Sequence, residues 1–130
     1  MENENPVNPR VVISGLWITM LMVFAYVDIF GLFRADVLTN ALAGTVPPFE
    51  VSQTFLTMTT VYILIPSLMI ILTLILPRKI NRPANIVFAI LYAITIVGGC
   101  IGETWIYYLL GSAVEVVLLG AIVWASWKTL

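Results

Sequence analysis

The sequence predicts an all-α integral membrane bundle of four transmembrane helices, running up-down-up-down, with a short interfacial helix on the outer side. Three observations lead there. Of 130 residues, 61% are hydrophobic and only 10% are charged, and the mean hydropathy is +1.04; a soluble domain carries roughly 25% charged residues. The apolar residues fall into long runs, each able to cross a bilayer core about 30 Å thick. Between the second and third runs stands Pro77-Arg78-Lys79-Ile80-Asn81-Arg82-Pro83, three cations bracketed by two prolines.

Composition also narrows function. The net charge of −1 offers no basic face for nucleic acid. Cys100 is the single cysteine, so there is neither an intrachain disulfide nor a C-x-x-C pair. Histidine is absent, which removes the commonest metal ligand and the usual general base. No cofactor and no metal site are expected.

Taken in order, residues 1–10 are polar and lack the basic start and small-residue cleavage site of a signal peptide, so the first helix is expected to be retained. That helix, about residues 11–33, would be about 35 Å long at 1.5 Å per residue. In the segment that follows, Val37, Leu38, Ala41 and Leu42 recur at helical spacing, with Asp36 to open a helix and Gly44 to end it. This predicts an interfacial helix over residues 35–43, after which Pro47-Pro48 turns the chain back. The second membrane helix, about residues 51–76, contains Pro66, which deprives the Tyr62 carbonyl of its donor. The two prolines of the basic stretch predict a stop and a restart, with a third helix over residues 84–101. Its end carries Gly98-Gly99-Cys100-Ile101-Gly102, a G-x-x-x-G that permits close helix contact. Glu103-Thr104 forms a short turn, and Glu103 is placed to favour the positive end of a fourth helix over residues 105–127. The whole chain, residues 1–130, reads as one four-helix domain.

Basic residues set the orientation. Arg10, Arg78, Lys79, Arg82 and Lys128 fall on one side and Arg34 alone on the other, so both termini and the basic turn are expected to be cytoplasmic. The basic turn would also meet anionic lipids.

Several segments resemble a family of small bacterial four-helix integral membrane proteins of unknown function. They are Leu16-Trp17, Tyr26-Val27-Asp28-Ile29, Ile65-Pro66, Asn81-Arg82-Pro83-Ala84-Asn85-Ile86, Tyr107-Tyr108, Glu115 and the Trp124–Trp127 pair. The resemblance implies four helices and the bacterial cytoplasmic membrane, and it implies no activity. Where that family often has an acidic residue before the Ile-Pro, this chain has Leu64.

Glu115 is the sharpest candidate for function. It sits near the midplane, where a charged acid costs about 2.5–3.5 kcal/mol on insertion scales. It is therefore expected to be neutral at pH 7 and to donate a hydrogen bond, with the Tyr62 carbonyl freed by Pro66 as the acceptor. Trp105, Tyr108, Ser112, Glu115 and Leu119 share one helical face; Trp17, Leu21, Phe24, Asp28 and Gly31 share another. Asp28 is shallower, either facing a pocket or pairing with Arg34. Together these place an outward-opening pocket lined by Asp28, Gln53, Tyr62, Tyr108, Ser112 and Glu115, under the interfacial helix. It would accept a small lipophilic or cationic molecule, coupled to a proton on Glu115. The alternatives are a structural or accessory subunit of a membrane complex, including a homodimer, and a membrane enzyme on a lipid-like substrate using the two carboxylates. The first needs the acids only as packing glue; the second is disfavoured by their different depths.

Overall fold

Asn8 and Pro9 begin the fold. The structure, a computed structural model, describes residues 7–130; the reading of the polar amino terminus falls largely on residues 1–6, outside that range. Asn8 caps helix α1 (Pro9–Gly31), its Oδ1 accepting from the Arg10 amide at 2.9 Å while proline takes the first helical position. The helix therefore starts two residues before the apolar run does. A single turn leads to α2 (Ala35–Leu42), and then to a two-stranded antiparallel hairpin, β1 (Thr45–Val46) and β2 (Phe49–Glu50), with Val46 opposite Phe49. Pro47-Pro48, joined by a cis peptide bond, makes the turn between them. Ser52 caps α3 (Gln53–Ile75), accepting from the Phe55 amide at 3.1 Å. Helix α4 spans Arg78–Gly99 and α5 spans Ile106–Thr129.

The basic stretch behaves differently from its expectation. The chain breaks only at Leu76-Pro77, and Arg78, Lys79 and Arg82 already lie in the first turns of α4, with Pro83 inside it. The reason is positional. The first four amides of a helix have no partner within it, so a proline close behind them removes one bond, that to the carbonyl of Lys79, which sits exposed at the end of the bundle. The G-x-x-x-G also fails its expected role. A Cβ at Gly98 or Gly102 would meet nothing within 4 Å, and Gly102 lies beyond α4 with φ +80°. Close approach occurs instead at Gly111 of α5, where a Cβ would come within 2.3 Å of the Val27 methyl on α1.

The helices alternate in direction around a ring. Helix α5 packs along both α1 and α4, α1 packs along α3, and α3 and α4 make the loosest of the four seams. Each helix buries one narrow stripe at spacings of three and four residues: Ile13, Trp17 and Met20 on α1; Pro66, Met69 and Thr73 on α3; Asn81, Asn85, Ala89, Tyr92 and Ile96 on α4; Ser112, Glu115, Leu119 and Ile122 on α5. Large apolar side chains cover the outside, Met58, Ile71, Ile94 and Val117 among them. Patches of that extent are foreign to a water-exposed surface. All four long helices are long and apolar enough to cross a membrane.

At the end of the bundle that holds the α3–α4 turn, the start of α1 and the end of α5 lies a buried polar network. The Asn85 Oδ1 accepts from the Trp17 indole at 2.8 Å and from the Thr73 hydroxyl at 3.2 Å. Its amide donates to the Asn81 Oδ1 at 2.6 Å and to the Asn81 carbonyl at 2.9 Å. The Asn81 amide donates in turn to the Thr73 carbonyl at 2.7 Å, and the Arg10 guanidinium donates to the carbonyls of Thr73 and Leu76. Trp17, Thr73, Asn81 and Asn85 are all fully buried.

Asn85→Leu would keep the branched shape, with somewhat bulkier ends, but leave the indole, the Thr73 hydroxyl and the Asn81 Oδ1 without partners, at about 1–3 kcal/mol for each buried group. Unfolding in mixed detergent micelles should therefore start far earlier than for Leu64→Ala on the outer surface. Equal losses in the two variants would mean that the network contributes nothing.

Candidate functional site

The opposite half of the bundle is built to leave space. All four long helices contribute to an internal chamber of about 170 Å³, lined by Phe24, Val27 and Asp28 of α1, Tyr62 of α3, Thr95 and Ile96 of α4, and Tyr108, Ser112 and Glu115 of α5. At about 30 Å³ of liquid volume per molecule, that is room for some half-dozen waters or one small solute. Two carboxylates face it and no lysine or arginine does. Asp28 lies one turn from the end of α1, whereas Glu115 is the tenth residue of α5, so the two sit at different heights along the bundle axis.

Above the chamber is a vestibule of about 420 Å³, walled by α2, the hairpin and the Glu103 turn. Val27, Asp28 and Tyr108 line both spaces. Asp28 therefore stands at the passage between them. Helix α2 forms over the expected segment and its Val37, Asn40 and Ala41 face the vestibule.

Of the six residues expected to line a pocket, the structure gathers Asp28, Tyr62, Tyr108, Ser112 and Glu115 around the chamber. Gln53 is not among them: it is the first residue of α3, exposed at the very end of the helix. A polar residue that opens a helix is satisfied there by water, so polarity at that position carries no information about a pocket. Thr95 lines the chamber in its place, its hydroxyl paired with that of Tyr62 at 2.6 Å. A lone threonine in the apolar outer half of α4 was the signal for it.

Two expected partnerships are replaced. The Tyr62 carbonyl left free by Pro66 accepts from the Tyr92 hydroxyl, not from Glu115. Tyr92 lies on α4, one turn before Thr95, and reaches that carbonyl first; Glu115, 2% exposed, faces the chamber instead. Arg34 does not pair with Asp28 either. Its Nε and Nη2 form a two-point bridge to the Asp36 carboxylate at 3.1 and 2.8 Å, and its Nη1 donates to the Glu103 Oε1 at 2.9 Å. The guanidinium lies 4.2 Å from the centre of the Trp105 ring. Glu103 also accepts from the Trp105 amide at 3.2 Å, at the start of α5. This clamp ties the α1–α2 corner to the α4–α5 turn and closes the vestibule wall. Sequence reasoning missed the clamp because Arg34–Asp36 is too close in sequence for a helical pair; it requires α1 to end between them and Asp28.

Among the described residues, no group of three histidine, cysteine, aspartate or glutamate side chains comes together. The chain belongs to DUF6326, a family of unknown function whose profile matches residues 3–129. No curated protein and no solved structure matches it.

The clamp predicts a pH response. The Arg34 guanidinium, hydrogen-bonded to Asp36, holds that carboxyl below the usual carboxylate range. Its contribution is complete above the ordinary aspartate value of about 3.9 and is lost as pH falls through the lower folded value. Hydrogen-exchange protection of the Ala35–Leu42 amides, referred to the intrinsic rate at each pH, should hold constant from about pH 7 to 5 and drop below about pH 4. In Arg34→Gln it should be low throughout. Protection that fades already between pH 7 and 5 would assign the response to another group.

Proposed function

We propose that this member of a family of unknown function is a bacterial cytoplasmic-membrane protein that binds, and by alternate opening transports, a small organic cation in exchange for a proton on Glu115. One observation carries the reading: a cavity lined by all four long helices presents two carboxylates, Asp28 and Glu115, with no basic side chain in its lining. The one cation nearby, Arg34, lines the vestibule but is paired with Asp36 and Glu103 and covered by the Trp105 ring. An ammonium group entering from the vestibule would meet Asp28 first and Glu115 deeper in. The rings of Phe24, Tyr62 and Tyr108 line its path, and aromatic faces attract cations by about 0.5–2 kcal/mol each. A desolvated carboxylate such as that of Glu115, 2% exposed, is otherwise costly near the midplane, which supports a role that needs it. A proton on Glu115 and a cation beside it would compete for the same charge, so binding of one releases the other.

Orientation follows from the distribution of basic residues. With Arg10, Arg78, Lys79, Arg82 and Lys128 on one side, both termini would be cytoplasmic and the vestibule would face outward. Single cysteines at Lys79 and Thr39, both exposed, in a Cys100→Ser background should react with impermeant maleimide from opposite faces of the membrane. Labelling of both from outside intact cells would overturn the orientation.

Binding is tested with tetramethylammonium titrated into the protein in nanodiscs, in two buffers of different ionisation enthalpy. The wild type should bind and release about one proton per cation. Glu115→Gln should remain folded, bind about tenfold more weakly, as expected for loss of about 1.4 kcal/mol, and release none. Unchanged affinity and proton release in both Glu115→Gln and Asp28→Asn would dismiss the chamber as the site.

A further inference from the structure

A groove on the outside of α3 runs directly into the chamber wall. It has a volume of about 480 Å³ and is lined by Phe49 and Glu50 of the hairpin together with Phe55, Met58, Thr59 and Tyr62 of α3. Phe49 and Phe55 stand 5.8 Å apart, joining hairpin and helix. The groove follows the first three turns of α3, about 14 Å at 1.5 Å per residue, and it faces away from the helix bundle. Its surface is mostly apolar, from the aromatic rings and Met58, with Ser52, Thr54 and Thr59 between them and one charge, Glu50.

Tyr62 belongs to both spaces. It lines the groove on one side and the chamber on the other. Its ring stacks 4.6 Å from Tyr92 and 6.1 Å from Phe24, and its hydroxyl pairs with Thr95. These contacts fill the α3–α4 seam, the loosest in the ring. The seam's outer half is thus closed by side chains rather than by backbone packing. A rotation of Tyr62 that breaks the single hydrogen bond to Thr95 would join groove and chamber; side-chain rotamer changes of this kind need no movement of helices.

We propose that the ligand is an amphiphilic cation taken sideways from the outer half of the membrane, its apolar tail lying in the Phe49–Phe55–Met58–Thr59 groove and its cationic head passing Tyr62 into the chamber. The proposal rests on the cation reading given above and adds the tail and the route. Charge complementarity selects the occupant: Glu50 at the rim and Asp28 and Glu115 inside are all acidic, and neither lining holds a lysine or arginine. A chain arriving from the bilayer gains nothing from the hydrophobic effect, so the groove would hold it by packing against Phe49, Phe55 and Met58, and the chamber, at about 170 Å³, has room for a head group but not for a chain. A neutral lipid would gain the groove and nothing from the carboxylates.

The test compares tetramethylammonium with dodecyltrimethylammonium on the protein in nanodiscs. Chain partitioning into the bilayer is common to all variants, so the informative quantity is the ratio of the two affinities between variants. Thr59→Trp fills the groove on its helix side. It should lower the dodecyl-to-tetramethyl ratio by about tenfold, equivalent to about 1.4 kcal/mol, and leave tetramethylammonium binding unchanged, which also reports that the variant is folded. Independently, a dodecyltrimethylammonium brominated along its chain should quench the fluorescence that Phe55→Trp adds to that of the four native tryptophans, measured as the difference from the wild type, with tetramethylammonium leaving that difference unaffected. If tetramethylammonium binds with proton release but the ratio and the quenching do not respond, the tail site is wrong and the cation reading stands. If dodecanol brominated in the same way quenches Phe55→Trp as strongly as the cationic chain does, the groove is a plain lipid-chain site and the proposal fails. If tetramethylammonium itself does not bind, both readings fall together.

Discussion

The Asn85 carboxamide is the constraint on which the rest of the bundle depends. An amide in an apolar interior costs several kcal/mol unless every hydrogen-bonding position is used. Here all four are used: two acceptor positions by Trp17 and Thr73, two donors by Asn81. Because those partners belong to α1, α3 and α4, satisfying one side chain fixes the height of three helices relative to one another. The same cluster finishes α3. Its last carbonyls have no partner within the helix, and Arg10 and Asn81 supply donors to Thr73 and Leu76. A guanidinium at that position also suits the negative end of the helix dipole.

Helix α5 is held by other means. None of its side chains enters the amide network, and the Ser126 hydroxyl is fully buried without a hydrogen-bond partner. Shape does the work instead. Leu119 and Ile122 pack into the core beside Trp17, and Gly111 lets α1 and α5 approach until Val27 fills the space where a Cβ would stand. This close approach on the α1–α5 side contrasts with the loose α3–α4 seam, and the chamber lies between the two. A bundle locked at one end by directional bonds and wedged on one side by a glycine has its remaining freedom at the opposite corner. That corner is where Tyr62, Tyr92 and Thr95 meet.

Much of this was legible in the sequence, and the limits have physical causes. Four helices and their alternation followed from apolar run lengths, which depend on membrane thickness and on little else. The faces carrying Asp28 and Glu115 followed from helical spacing, since the stripes Phe24-Asp28 and Tyr108-Ser112-Glu115 persist in three dimensions. The start of α4 did not follow, because a proline reads as a break when its distance from the helix start is unknown. Asn81 fell in the expected break for the same reason; once α4 begins at Arg78, its spacing of four from Asn85 puts both on the buried stripe. Partnerships were the least legible. Which donor reaches the Tyr62 carbonyl depends on the ring order of the helices, and no local pattern encodes that α3 lies beside α4 with Tyr92 at the right height.

Arg34 connects the locked architecture to the open site. A single cation at this end of the bundle, only six residues from Asp28, would be expected to neutralise it and to end any preference for cations. Asp36, two residues on, takes the guanidinium on two oxygens, Glu103 takes a third donor, and Trp105 covers its face. Each contact alone is of the modest size usual for partly exposed ion pairs, about 0–1 kcal/mol. Their joint effect is geometric: they turn the charge toward the α4–α5 corner and leave Asp28 at the passage free of a basic partner among the described residues. The clamp that closes the vestibule wall is thus also what holds Arg34 away from Asp28, and the chamber lining keeps two carboxylates and no basic side chain.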